Sequence, residues 1–316
     1  MRRSWLLLEA CVALVMAIGG VATSTVTAGA SPEAATGAMR VDHDGPAGFW
    51  WGTDSSPVEV PGRAPYSMPH LGGVYGGYIG MTGNWAYWLG CKGSSLAYSA
   101  TYAAQARINY TEYHSGAGYG AYWFMGGPGV DPHYNGTTAE AARWGARQAA
   151  RALQDVANGR GINYPVVWAD IELPGIKPAR DNGWNSVYSS PCSGKVRRGF
   201  VPAAVDRADF NGFADYITRH SHYKVGVYSS PAAWASIFGT GIASRIANIY
   251  EWTYEPQTAH LRYAPHGWCL KSGGCAQFFG GQTYQSKYAL MWQWSGGGEI
   301  GNGVGDLDQI DRARLR

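Results

Sequence analysis

The chain has 316 residues, 25 basic against 22 acidic side chains for a formal net charge of +3, and a 46% hydrophobic share. That is enough for one large core, and the near balance of charge argues against nucleic acid as the partner, since no basic cluster is denser than Lys195-Val-Arg197-Arg198. No P-loop or Gly-x-Ser-x-Gly motif occurs, so nucleotide enzymes and serine hydrolases have no support and no cofactor is implied.

Residues 1–30 read as a signal peptide. Arg2 and Arg3 precede an apolar run over 5–18, and small residues end in Ala28-Gly-Ala30. Cleavage after Ala30 removes two arginines and one glutamate and lowers the formal charge to +2. The run is short for a bilayer span, so no membrane anchor is expected and the protein is read as a secreted, extracellular monomer, with cell-wall association open. Arg2-Arg3-Ser-Trp-Leu6 also suits twin-arginine export, and the route stays open. Residues 31–47 form a flexible mature N-terminus, and 48–316 are uniform in composition, which predicts a single domain.

Strands are expected at 49–54, 77–82 and 120–125, with a helix over 101–114. Thr137-Thr-Ala-Glu140 has capping-box spacing, and Ala142, Ala146, Ala149, Leu153 and Val156 continue at helical steps toward Gly159, with Arg143, Arg147 and Arg151 on a solvated face. A buried strand then runs through Val166-Val-Trp-Ala-Asp170-Ile-Glu172 to Pro174, and a loop-like insertion fills 173–200. A helix carrying Phe210, Phe213 and Ile217, a strand at 224–228, a helix at 231–238 and strands at 249–254 and 290–295 complete the pattern. Alternating strands and helices predict an α/β fold, a TIM-like (β/α) barrel with room for irregularity in its last strands.

In a strand, Val166, Trp168, Asp170 and Glu172 share one face, with successive members ~6.6 Å apart. Two carboxylates that close feel each other's charge, which raises one pKa. Asp54 ends the first strand and Asp306 follows shortly after the last, so four acids gather at the C-terminal mouth of such a barrel. One protonated and one ionised carboxyl flanking a bond is the equipment of glycoside hydrolysis. Glu172, beside Leu173 and Pro174, is the better candidate for the raised pKa, and retention or inversion stays open. Among the 14 tryptophans and 21 tyrosines, Trp85, Trp88, Trp123, Trp184, Trp252 and Trp268 lie at strand ends or in loops, where flat rings can stack on sugars or pack the core. Tyr122, Trp252 and Trp292 are the substrate-binding candidates.

Cys11 lies in the signal, which leaves Cys91, Cys192, Cys269 and Cys275 for an oxidising compartment. Three pairings are open; Cys91 with Cys192 and Cys269 with Cys275 is preferred. Cysteine spacing does not suit zinc, and His220-Ser-His222 sits at a helix end without a third ligand, so no metal site is expected. Asp181-Asn-Gly-Trp-Asn185 has residues that bind calcium and equally those of a turn.

Four segments together resemble glycoside hydrolase family 25, the lysozymes or muramidases: Trp51-Gly-Thr-Asp54-Ser-Ser, Trp168-Ala-Asp170-Ile-Glu172, Lys224-Val-Gly-Val-Tyr228-Ser, and Trp292-Gln-Trp-Ser295 leading to Gly305-Asp306-Leu-Asp308. The chain looks closer still to actinobacterial secreted proteins with a glycoside-hydrolase-like barrel. The resemblance implies Glu172 as general acid, Asp170 as the carboxylate serving the oxocarbenium-like centre or the acetamido group, and Asp54 and Asp306 as orienting or substrate-binding acids. It implies a cell-wall polysaccharide, peptidoglycan or a related amino-sugar polymer, as substrate. The second strand, Tyr78-Ile-Gly-Met-Thr82-Gly, lacks the charged residues that lysozymes carry there. That departure keeps a second expectation alive, a barrel that binds glycan without cutting it.

Overall fold

The computed structural model describes residues 49–55, 74–91, 118–158, 162, 165–173, 182–188, 191–192, 197–239, 249–255, 289–295 and 306–311. All belong to one compact unit, Ala38–Arg316. The expected signal peptide, the flexible N-terminus of 31–47, the 101–114 helix, Trp268 and the Cys269–Cys275 pair lie outside the described residues. No helix among the described residues is long and apolar enough to cross a membrane.

The elements in chain order are β1 (Phe49–Ser55), β2 (Val74–Asn84), a one-turn helix α1 (Trp85–Trp88), β3 (Gly118–Phe124), α2 (Thr138–Asn158), β4 (Val166–Asp170), β5 (Ser186–Tyr188), β6 (Arg197–Phe200), α3 (Ala203–His220), β7 (Lys224–Ser229), α4 (Pro231–Phe238), β8 (Ile249–Tyr254), β9 (Met291–Ser295) and β10 (Asp306–Asp311). The fold is mixed α/β with a mainly parallel sheet. Its strands follow the order β1-β10-β9-β8-β7-β4-β3-β2, and β1 also pairs with β2, so each has two neighbours.

Two expectations are corrected. The segment carrying Asp306, expected to follow the last strand, is itself the strand β10, antiparallel to both β1 and β9. Residues 173–200 are not wholly loop, because β5 and β6 pair as an antiparallel ribbon.

Strand β4 shows why the sheet is buried on both faces. Val166 and Trp168 pack with Tyr122, Tyr228, Tyr250, Trp252, Leu290, Met291 and Ile310, while Val167, Ala169 and Ile171 pack beneath the helices with Phe210, Phe213, Ala214 and Ile217 of α3. Period-two alternation therefore sorts two apolar layers instead of one apolar and one wet face. The helices begin where local chemistry dictates. Thr137 Oγ1 accepts the Glu140 N–H at 3.2 Å ahead of α2, and Ser230 Oγ accepts the Ala233 N–H at 3.1 Å ahead of α4, with Pro231 at its first position. The expected solvated arginine face of α2 is laced with ion pairs: Arg143 and Arg147 to Glu140, Arg147 to Asp131, and Arg151 to Asp155.

Cys91 and Cys192 form the expected disulfide, across a sequence separation of 101. It ties the segment after α1 to the 173–200 insertion. Asn182 Nδ2 donates to the Glu172 carbonyl at 3.1 Å, the Gly127 N–H donates to the Asn182 carbonyl at 2.6 Å, and Asn185, at φ 59°, donates its side-chain amide to Ser236. Both asparagines of the calcium-or-turn motif are thus occupied as turn and tether residues.

Candidate active site

The site forms where the parallel strands end. β1 brings Asp54, β4 brings Asp170 with Glu172 two residues beyond its end, β7 brings Tyr228 and β9 brings Gln293. β10 runs the opposite way, so its first residue, Asp306, lies at this end, directly across the ladder from Asp54. Partners so placed have Cβ atoms about 5 Å apart, which sets two carboxyls side by side. The Ile171 N–H donates to the Tyr228 carbonyl at 2.9 Å, carrying β4–β7 pairing one step past Asp170 and fixing where Glu172 departs.

Gln293 joins the acids. Its Nε2 donates to Asp54 Oδ2 at 2.8 Å and to Asp306 Oδ2 at 2.9 Å, and its Oε1 accepts the hydroxyl hydrogen of Tyr228. Asp308 accepts the Trp252 indole N–H on Oδ1 at 2.9 Å and is close enough to Asp54 for each to shift the other's titration.

Burial divides these carboxyls. Asp54, Asp170 and Asp308 are only 4%, 5% and 1% exposed, whereas Glu172 and Asp306 are half-buried. All three buried acids titrate well above the usual carboxylate range, and loss of hydration is the largest cause for each. The charges of Asp308 and Asp306 add to it at Asp54, and those of Glu172 and Asp306 at Asp170. Tyr228 is pushed up by burial and then by Glu172, Asp170, Asp54 and Asp306. A single phenol thus feels all four acids singled out in the sequence. Asp170, the buried member of the pair expected to hold a raised pKa, is raised by burial first and then by the charge of Glu172.

The aromatic candidates separate. Trp252 lies on the same sheet face as the acids, edge-on to Tyr228 at 4.5 Å, Trp168 at 5.6 Å and Tyr122 at 6.2 Å between ring centroids. Trp252 is 1% exposed and its indole N–H is committed to Asp308, so it supports an acid instead of presenting a ring to a sugar. Trp292 is corrected outright. It points to the face opposite Gln293, is fully buried, and donates its indole N–H to the Glu255 carbonyl at 2.9 Å. Trp85, Trp123 and Trp184 are likewise buried.

Sequence reasoning missed Gln293, Tyr228 and Asp308 as members of the site. A signal existed for Asp308, because Asp306-Leu-Asp308 repeats the period-two spacing of Asp170-Ile-Glu172. Among the described residues no group of three or more His, Cys, Asp or Glu side chains is arranged to hold a metal ion.

No protein-family model and no curated protein sequence matches the chain. Solved structures do match. A lysozyme from Streptomyces coelicolor is 15% identical, with 87% of this chain and 96% of that one covered at a TM-score of 0.49. A family GH25 lysozyme from Aspergillus fumigatus is 13% identical over 83% and 93% at 0.47, and a muramidase from Acremonium alcalophilum is 13% identical over 84% and 96% at 0.46. Each is a likeness of chain path; the chemistry rests on the geometry above.

Proposed function

We propose that this chain is a secreted glycoside hydrolase that cuts peptidoglycan or a related amino-sugar polymer, on a sheet closed as an irregular (β/α) barrel. The observation that carries the reading is the gathering of Asp54, Asp170, Glu172, Asp306 and Asp308 at one end of the strands, with burial holding some protonated while half-buried members remain open to substrate. Asp170 and Glu172 repel each other, so the pair titrates as a unit and retains a proton where an isolated carboxyl would have lost it. Glu172, the more exposed member, delivers that proton to the leaving glycosidic oxygen as the C–O bond breaks. Asp170 faces the positive charge that develops on the sugar or the acetamido group beside it, and water completes the hydrolysis.

Asp306, held by Gln293, is assigned to substrate orientation. Purified cell wall should lose turbidity and gain reducing ends, and Glu172→Gln should lower the rate at least ~100-fold, the low end for removing a general acid. If wild-type protein yields no product from several walls or from chitin oligomers, the enzyme reading fails. A second reading, glycan binding without cleavage, draws on the internal hydrogen bonds that occupy Asp54 and Asp306. Binding that survives Glu172→Gln with no turnover in either form selects it.

A further inference from the structure

The donors and acceptors around Gln293 balance only with one additional hydrogen. Tyr228 gives its hydroxyl hydrogen to Gln293 Oε1, which fixes the amide and sends both Nε2 hydrogens to Asp54 Oδ2 and Asp306 Oδ2. Beyond Asp54 stands Asp308, whose Oδ1 takes the Trp252 indole hydrogen. Its Oδ2 is buried and has no donor unless Asp54 supplies one. Ionised carboxylates only accept, so two neighbouring buried carboxyls can satisfy each other only by holding a proton between them. No Lys or Arg forms an ion pair with either among the described residues, and two bare charges this deep would cost far more than one.

The strand register explains how they meet. Asp308 lies across the ladder from Gly52, so its diagonal same-face neighbour on β1 is Asp54.

We infer that Asp308 is a positioning residue that shares a single proton with Asp54, so that the buried pair carries one negative charge and Gln293 is free to hold Asp306 as a carboxylate at the rim. The proton rests on Asp54. The Trp252 indole N–H donated to Asp308 Oδ1 already stabilises negative charge there, and among the described residues no such indole serves Asp54. This arrangement keeps the charge of the pair one residue farther from Gln293. It also removes Asp54 from acid/base duty, since its hydrogen points inward to Asp308 and away from any substrate.

The inference deepens the glycosidase reading but is tested without turnover, so the two can fail separately. Infrared difference spectra are taken at pH 6 for Asp54→Asn, Asp308→Asn and the double variant, each checked for native tryptophan fluorescence. Each single substitution should erase one protonated-carboxyl band, and the double should erase that same one band and no more. In Asp308→Asn the new amide donates to Asp54, which then carries the charge. Loss of only carboxylate absorption in the singles overturns the proposal, as does loss of two protonated bands in the double. Should the variants not fold, carboxyl-carbon NMR of wild-type protein labelled at aspartate decides alone. One acid-like and one carboxylate-like carbon for the pair at pH 6 is the expected result, and two carboxylate-like carbons refute it. Where turnover is measurable, Asp308→Asn should move the acid limb of the pH–rate profile upward, because charge shifted onto Asp54 lies directly across the ladder from Asp306. A merely structural loss would lower the rate at all pH values alike.

Discussion

Replacing Gln293 by Leu keeps the volume nearly constant and removes three hydrogen bonds at once. Asp306 loses a donor to an ionised group, worth about 1.5–3 kcal/mol, and Asp54 and Tyr228 each lose a bond worth about 1 kcal/mol. Asp54 and Tyr228 are buried and Asp306 is half-buried, so rehydration recovers little, and the total loss should be about 3–5 kcal/mol. Urea unfolding followed by tryptophan fluorescence measures it, and a loss under about 1 kcal/mol would refute the claim that Gln293 organises the acids. Gln293→Glu separates charge from volume. A carboxyl there is buried between Asp54 and Asp306, so its folded pKa lies above its unfolded one. Its protonated form can still donate one hydrogen bond, so the penalty should be mildest below the unfolded pKa, about 4.3, and grow as pH rises toward neutrality. A penalty that does not change between pH 4 and 7 contradicts the assignment.

At Gly145 an added Cβ would sit 1.9 Å from the backbone oxygen of Asp209, so Gly145→Ala should lower stability by about 2–4 kcal/mol despite the better helix propensity of Ala, and a rise in Tm would overturn the α2–α3 contact. Cys192→Ser opens a link of sequence separation 101, which removes up to about 4 kcal/mol of chain-entropy stabilisation; an unchanged urea midpoint would show that the disulfide does not restrain the insertion. Asp206 is raised to about 8, chiefly by burial. In the wild type it takes up a proton on folding, so stability falls as pH climbs from about 4 toward 8, and Asp206→Asn should gain on wild type across that window with little difference below it. Parallel urea curves at pH 4, 6 and 8 test this, with Asp209, Asp131, Tyr134, Arg147 and Arg207 as the charged and titratable neighbours that accompany it. A pH-independent offset contradicts it.

What was legible in the sequence follows from how well each segment obeys one period. Pro231–Phe238 was placed to the residue because Ser230-Pro231 and Gly239 are strong start and stop signals. β4 was placed by its run of apolar residues, and parity correctly separated Trp168 and Asp170 from Val167 and Ala169. β10 was missed because Asp306 and Asp308 occupy positions that a buried strand normally fills with apolar residues, so only Ile310 is left of that face's pattern. For Trp292, named as a substrate-binding candidate, the same period-two rule applied from Gln293 puts the ring on the other face, where it is buried. β5 and β6 are too short, at three and four residues, to show any alternation.

The reversal of β10 is what lets the site close. In an all-parallel sheet every residue at this end is the last of its strand, and the chain must leave at once into a loop. An antiparallel strand instead enters here, so Asp306 stands at the rim while Asp308, two residues on, is carried inward on the same face. One strand thereby supplies both a half-buried carboxyl facing the open end and a buried one beneath it. Asp54 is linked to Asp306 by way of Gln293, which donates to its Oδ2, and is the diagonal same-face neighbour of Asp308. Burial increases from Asp306 to Asp54 to Asp308, and low dielectric favours the neutral form in that same order. Trp252 interrupts the trend by donating to the deepest acid. The proton therefore stops at Asp54, the middle carboxyl, which separates the negative charge at the rim from the one below.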